Sequence, residues 1–345
     1  MRLPPFVVLL PALLLACSDP DKDAGDDTGA DSGGDSGGDS GGDSGGDSGG
    51  DTAAGGVDFT VVATPSGVVD VTPTADGTGM IYVADDGGSL CLVEGSGTPN
   101  CATGVLNGAL AVDAASDGAR IALAADFPAA AGASSIVAST TIGVLIFCHA
   151  VGVCGPGSLG TDLEVLEETA PYLPSTIDIA PYGGTESIVF GGYDVGTGAP
   201  GVFAVPLAGG AVTTVGLGLP GVARGVAVAS DGAVYAAVNV PEGGGSVYEI
   251  VGGVATEIAS DILLGEPAGL ALTPDDGAVM VSSLLDGHSA VTLVARADHA
   301  VSHVTDVIDA NTGSGGLHRA ANQPDTYGWC GYTSDGDVVY NVRVY

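Results

Sequence analysis

One phrase recurs along most of this chain and limits what it can fold into. A small residue and an apolar anchor lead into a short apolar run. An Asp-Gly or Gly-Gly turn follows, and then a second apolar run. It reads GVVDVTPTADGTGMIYVAD from Gly67, GALAVDAASDGARIALAAD from Gly108 and STIDIAPYGGTESIVFGG from Ser175. It returns as GVAVASDGAVYAAV from Gly225, GLALTPDDGAVMVSS from Gly269 and, degenerate, GLHRAANQPDTYGWCGY from Gly316. The anchors are Val69, Leu110, Ile177, Val226, Leu270 and Leu317, spaced by 41, 67, 49, 44 and 47 residues. The runs are rich in Val, Ile, Thr and Tyr, and the turns supply the positive φ that tight hairpins need, so each copy opens with a β-hairpin. A second hairpin follows most copies, as in GVFAVPLAGGAVTTVG from Gly201 and SVYEIVGGVATEIAS from Ser246. The best helical candidate is the brief stretch Leu163–Thr169.

Four strands per copy at this period is the signature of a propeller blade. The expected fold is all-β, a β-propeller over residues 57–345, with six blades favoured. A seventh blade fits into the long gap between the second and third anchors, which we read instead as an insertion near Phe127–Thr141. The last copy ends at Tyr345 one strand short, while VDFTVVAT, from Val57, belongs to no copy. Pairing the two closes the ring and removes two exposed sheet edges. Over this region the chain resembles the NHL and SMP-30/gluconolactonase propellers, on phrases such as GLALTPDDGAVMVSS. The gluconolactonase resemblance implies a metal held by Glu, Asn and Asp near the channel, three positions this sequence does not match together.

The chain starts differently. Residues 1–16 carry one basic residue, Arg2, and an apolar stretch too short to span a bilayer. The stretch ends in Leu14-Leu15-Ala16-Cys17, which resembles the lipobox of bacterial lipoproteins. That resemblance implies removal of residues 1–16, acylation of Cys17 and, with Ser18 next, an address at the outer membrane. Residues 17–56 hold eleven Asp and five DSGG units, too polar to bury a core. They read as a disordered tether with a span on the order of 35 Å. Asp19, Asp21 and Asp23 have the opening spacing of a calcium loop, but its glycine falls on Ala24 and its closing Glu on Ala30. The tether therefore attracts counter-ions loosely.

With 42 acidic against 7 basic residues and a net charge of −35, the chain lacks the cations that bind nucleic acid. Cys91 with Cys101, and Cys148 with Cys154, read as local disulfides of an oxidising compartment, leaving Cys330 as a buried thiol. His299 and His303 fall on a turn and a strand rather than one helix face. His149 and His288 fall in loops. The residues following the anchors are Asp70, Ala111, Asp178, Ala227, Ala271 and His318. They lie on the innermost strands. Asp70, Asp178 and His318 therefore meet at the central channel as a candidate ligand or cation site, with Arg224, Glu266 and Arg319 near the strand ends. A divalent cation, calcium above all, is the cofactor such a site would take.

Two functions follow. The first is a non-catalytic binding or scaffold module held at the membrane by its lipid, its partner a protein, a glycan or a small ligand. The alternative is a metal-dependent lactonase-type hydrolase. The membrane address has a direct test: Cys17→Ser should move the protein out of the membrane fraction or stall its processing. A variant that matures and fractionates like the wild type contradicts the lipobox.

Overall fold

The computed structural model describes the chain from Val57 to Val344, except residues 104–106, 119, 127–133, 140–162, 168–171, 195, 241–243, 262–263, 286–287, 309–315 and 334–335. Cys17, the tether and the Cys148–Cys154 pair lie outside the described residues, as does His149. Twenty-four strands are described, numbered here in chain order from β1 (Val57–Ala63) to β24 (Gly336–Val344).

The strands form six four-stranded antiparallel units. Four of them are β2–β5 (Asp70–Ala102), β6–β9 (Asn107–Glu167), β10–β13 (Tyr172–Leu217) and β14–β17 (Ala223–Asp261). The fifth is β18–β21 (Glu266–Ile308), and the sixth is β22–β24 (Leu317–Val344) completed by β1. A lone parallel pairing, Leu217 with Val254, links the outermost strands of the third and fourth units. The innermost strands β2, β6, β10, β14, β18 and β22 neighbour one another in that order, and β22 returns to β2. The chain is thus a β-propeller, with six four-stranded units among the described residues.

Packing follows the same count. Each blade is covered on both faces, so its middle strands are apolar almost throughout rather than alternating. GMIYVA of β3 (Gly79–Ala84) is wholly buried. Adjacent side chains on one strand feed opposite interfaces, as the two-residue period of a strand requires. Tyr82 packs toward the sixth blade with Cys330 and Val339, and Val83 packs toward the second with Val112 and Leu123. Six apolar clusters result, one between each pair of neighbouring blades. A chain with only 14% charged residues suits this two-sided burial.

The N-terminal strand closes the ring as its sequence suggested. Val57 pairs with Val344 and the ladder runs to Ala63 opposite Val339. Phe59 packs against Trp329 and Tyr340, with ring centroids 5.6 and 6.1 Å away. A register shift between Val61 and Ala63 interrupts the alternation and leaves Val61 exposed. The Cys91–Cys101 disulfide is present and joins directly opposed residues of β4 (Ser89–Glu94) and β5 (Asn100–Ala102). Cys330 is buried on β23 (Gln323–Thr333) and takes no part in that bond.

Four expectations need correction. Ser134–Ser139 is strand β8, so the region Phe127–Thr141 is not simply an insertion. The extra length of the second blade falls instead between β8 and β9. The helical candidate is strand β9, Leu163–Glu167, whose Leu-Glu-Val-Leu-Glu run satisfies strand and helix periods alike. His288 is not in a loop but opens β20 (His288–Ala295). The anchor Leu110 is exposed, because the β6–β7 register is irregular between Asn107 and Ala111.

Removing the leader and tether, residues 1–56, should leave the thermal midpoint of the domain unchanged. Removing residues 1–64 strips the Phe59 contacts and bares two sheet edges. It should lower the midpoint by more than about 5 °C or cause aggregation. Calorimetry of the two truncations decides, and equal melting would contradict closure by β1.

Candidate functional site at the channel

The innermost strands carry carboxylates into the channel, and each reaches across to the next blade. The Val112 N–H donates to Asp70 Oδ2 at 2.8 Å, from the second blade to the first. The Ile179 N–H donates to Asp113 Oδ2 at 2.6 Å, from the third to the second. The Val228 N–H donates to Asp178 Oδ2 at 2.8 Å, from the fourth to the third. Asp113 Oδ1 also accepts from the Thr72 hydroxyl at 2.7 Å and from its neighbour Ala114 N–H at 2.8 Å. Each bond satisfies an inward-pointing amide that has no strand beside it.

Between the sixth and first blades the link is ionic. His318 Nε2 lies 3.3 Å from Asp70 Oδ2 and its Nδ1 lies 3.7 Å from Asp113 Oδ1. Burial opposes the imidazolium, but Asp70, Asp113 and Asp178 outweigh it and hold the His318 pKa up at about 9. Burial raises the Asp113 carboxyl, with the His318 charge opposing. Burial, with the Asp113 charge adding to it, pushes the half-buried Asp178 up to about 7. Gly316 makes the cluster sterically possible: with φ of +54°, an added Cβ would lie 1.7 Å from Asp70 Oδ1.

Of the residues singled out from sequence, the structure brings Asp70, Asp178 and His318 together. Asp178 and His318 line a cavity of about 310 Å³ at the end of the channel where the inner strands finish. Ala227 and Ala271, from the same column of positions, leave it open, and Glu186, Asp276 and Arg319 stand in its wall. Arg319 Nη1 donates to the Thr273 carbonyl at 2.8 Å and to Asp276 Oδ1 at 2.7 Å. Arg224 does not join this group. It sits on β14 (Ala223–Val228) at the end away from the cavity, and Glu266 opens β18 (Glu266–Leu272) at that same end. Asp113 was not anticipated. The signal was present, since strand alternation puts it on the same side as Ala111, one step further along the channel.

Asp70 Oδ2, Asp113 Oδ2 and Asp178 Oδ2 accept backbone amides, Asp70 Oδ1 is buried without a hydrogen-bond partner, and an imidazolium has no lone pair to offer a metal. The cluster already contains its cation. Among the described residues no group of three or more His, Cys, Asp and Glu is arranged to hold a metal.

No family model and no curated protein matches the chain. Solved structures do. The PQQ-bound aldose sugar dehydrogenase of Streptomyces coelicolor is 12% identical, with a TM-score of 0.64 over 85% of this chain and 100% of that one. A luciferin-regenerating enzyme is 11% identical, with a TM-score of 0.59 over 84% and 95% of the two chains. A gluconolactonase of Xanthomonas campestris is 13% identical, with a TM-score of 0.57 over 84% and 90%. At such identities the likeness is one of fold: the chain is a β-propeller of the architecture shared by the gluconolactonase-type proteins.

The titrations give opposite signatures. His318 has a folded pKa of about 9 against an ordinary 6.5. Its stabilising contribution is therefore complete below about pH 6.5 and lost as pH rises through about 9. The melting gap between wild type and His318→Gln should be widest near pH 6 and shrink by about pH 10. Asp178 has a folded pKa of about 7 against 3.8, so its ionisation costs stability as pH climbs between those values. Asp178→Asn should melt a few degrees above wild type near pH 8 and show no gain near pH 4. Gaps that do not vary with pH would contradict both assignments.

Proposed function

We propose that this protein is a lipid-anchored propeller of the cell envelope that works through the channel-mouth cavity, taking a small polyhydroxylated ligand there. The observation that carries this reading is the cavity of about 310 Å³, with Asp178, His318 and Arg319 converging on its surface. Its size suits a sugar-sized molecule, and its polar groups are few and placed, as in small-ligand sites. The Cys17 lipobox and the acidic tether support the address.

Of the two functions read from the sequence, the likeness to a gluconolactonase favours lactone hydrolysis over passive display. Asp178 suits that chemistry. A carboxylate with a pKa of about 7, exposed in part to the cavity, is poised to remove a proton near neutral pH. It would take the proton from a water whose oxygen bonds to the lactone carbonyl carbon. The ring C–O bond then breaks, and the leaving alkoxide receives that proton. Arg319 in the cavity wall would face the negative charge that develops on the carbonyl oxygen. The proposed step runs through Asp178 and Arg319 and needs no metal ion.

The test is hydrolysis of D-glucono-1,5-lactone by the purified protein, measured against its spontaneous rate with chelator and with added calcium. The expected result is acceleration that rises through about pH 7, is insensitive to chelator, and falls about a hundredfold or more in Asp178→Asn. Calcium-dependent turnover would overturn the metal-free mechanism. Saturable sugar binding without turnover would return the protein to the class of binding modules.

A further inference from the structure

The sixth copy of the repeat has lost its turn motif. The other five close their first hairpin with Asp-Gly or Gly-Gly, whereas this one reads Ala320-Ala321-Asn322-Gln323-Pro324-Asp325. Two of the regular turns fold back on themselves through a threonine. The Thr74 hydroxyl donates to Asp76 Oδ1 at 2.7 Å, and the Thr273 hydroxyl to Asp275 Oδ1 at 2.8 Å. The sixth turn reaches outward instead. The Asn322 N–H donates to the Ala75 carbonyl of the first blade at 2.8 Å. The Asn322 Nδ2 donates to the Ser116 carbonyl of the second blade, also at 2.8 Å.

The register explains the reach. Arg319 faces Tyr327 across the hairpin, but the next residue, Ala320, faces Gln323. Pro324, Asp325 and Thr326 loop out between these pairs, and a bulge of this kind bends the strand and re-aims its end. Asp325 Oδ1 fixes the base of the bend, holding Arg343 Nη1 at 3.2 Å and accepting the Thr326 hydroxyl at 3.0 Å. The bent end lies on the first blade's turn. An added Cβ at Gly77 would come within 3.2 Å of both Gln323 Cβ and Thr326 Cγ2.

The cavity is shaped by this crossing. Ser116, Glu186, Ser230, Asp276 and Arg319 bring the second to the sixth blades into its wall. Among the described residues the first blade contributes none, and Ala320 and Ala321 of the crossing turn form part of the wall instead. The volume of about 310 Å³ stands at the small end of ligand sites, which run from roughly 300 to 1,000 Å³. We propose that Asn322 is a positioning residue that sets specificity: by holding the sixth blade's turn across the first blade, it limits the cavity to a single sugar ring and excludes chains of two or more. The inference rests on the reading of the cavity as a sugar-sized site. Asn322 acts through Ala320 and Ala321. One neutral hydrogen bond holds its side chain, so its loss raises the population with the turn displaced by about fivefold. The affinity of a ligand that needs the displaced turn rises by the same factor.

The full-length mature protein, with its Asn322→Ala and Asn322→Asp variants, would be titrated with D-glucose and with maltose by calorimetry. The methyl signals of Ala227 and Ala271, both on the cavity wall, would also be followed while a one-ring nitroxide, or one carrying a second ring, is added. Asn322 is exposed, so neither substitution disturbs the core. Asn322→Asp keeps the size of the side chain and loses its donor. In the wild type, glucose should bind well ahead of maltose, and only the smaller nitroxide should broaden the two methyls. In both variants maltose should gain about fivefold with glucose unchanged, and the larger nitroxide should reach the methyls. A wild type that takes maltose as tightly as glucose, or whose methyls respond equally to both nitroxides, would overturn the proposal. Variants as selective as the wild type would overturn it too. If no sugar binds while the nitroxides sort by size as described, the role of Asn322 stands and the sugar-site reading fails.

Discussion

The structure depends on one bond repeated around the channel: a carboxylate on an innermost strand accepting a backbone N–H from the strand of the next blade. A propeller brings the edges of its innermost strands together without pairing them, so the amides that point inward need other acceptors. Asp70, Asp113 and Asp178 supply three in succession, linking the first blade to the fourth. The ring then closes from the sixth blade to the first through His318 and Asp70. Apolar packing between blades supplies the bulk of the stability. The carboxylates fix how the blades are placed around the axis.

Three carboxylates within one buried cluster would repel one another without a cation among them. His318 provides it, which explains its raised pKa. What remains for chemistry is the one carboxyl at the edge of the cluster, Asp178, which faces the cavity and is held near 7 by burial and by Asp113. The arginines divide in the same way. Arg120, Arg296 and Arg319 tie neighbouring blades together around the cavity end of the channel, while Arg224 lies at the other end. The two mouths are chemically different, and the cluster lies between them.

Much of this was legible in the residues. The recurrence of the blade phrase pointed to a propeller, and the missing strand of the last copy pointed to the role of Val57–Ala63. Reading down one position per copy found Asp70, Asp178 and His318. That same method missed Asp113 and misjudged Leu110, because the second blade departs from the common register between Asn107 and Ala111. A column of equivalent positions assumes equal registers, and a backbone irregularity is not written in residue types. Ser134–Ser139 was misplaced because only two β-branched residues, Ile136 and Val137, stand among its serines and alanine, and that is a weak strand signal. Leu163–Glu167 was ambiguous because five residues fit either period. The charge of His318 depends on distances between blades, which periodicity does not contain.

The central claim is that a protonated histidine, rather than a metal ion, completes the channel cluster and locks the last blade to the first. Nuclear magnetic resonance of the His318 ring nitrogens across pH tests it most directly. The account predicts that both nitrogens carry protons at pH 7, with a midpoint near 9, and that added calcium leaves the signals in place. A neutral ring at pH 7, or signals that move on calcium addition at stoichiometric ratio, would contradict it.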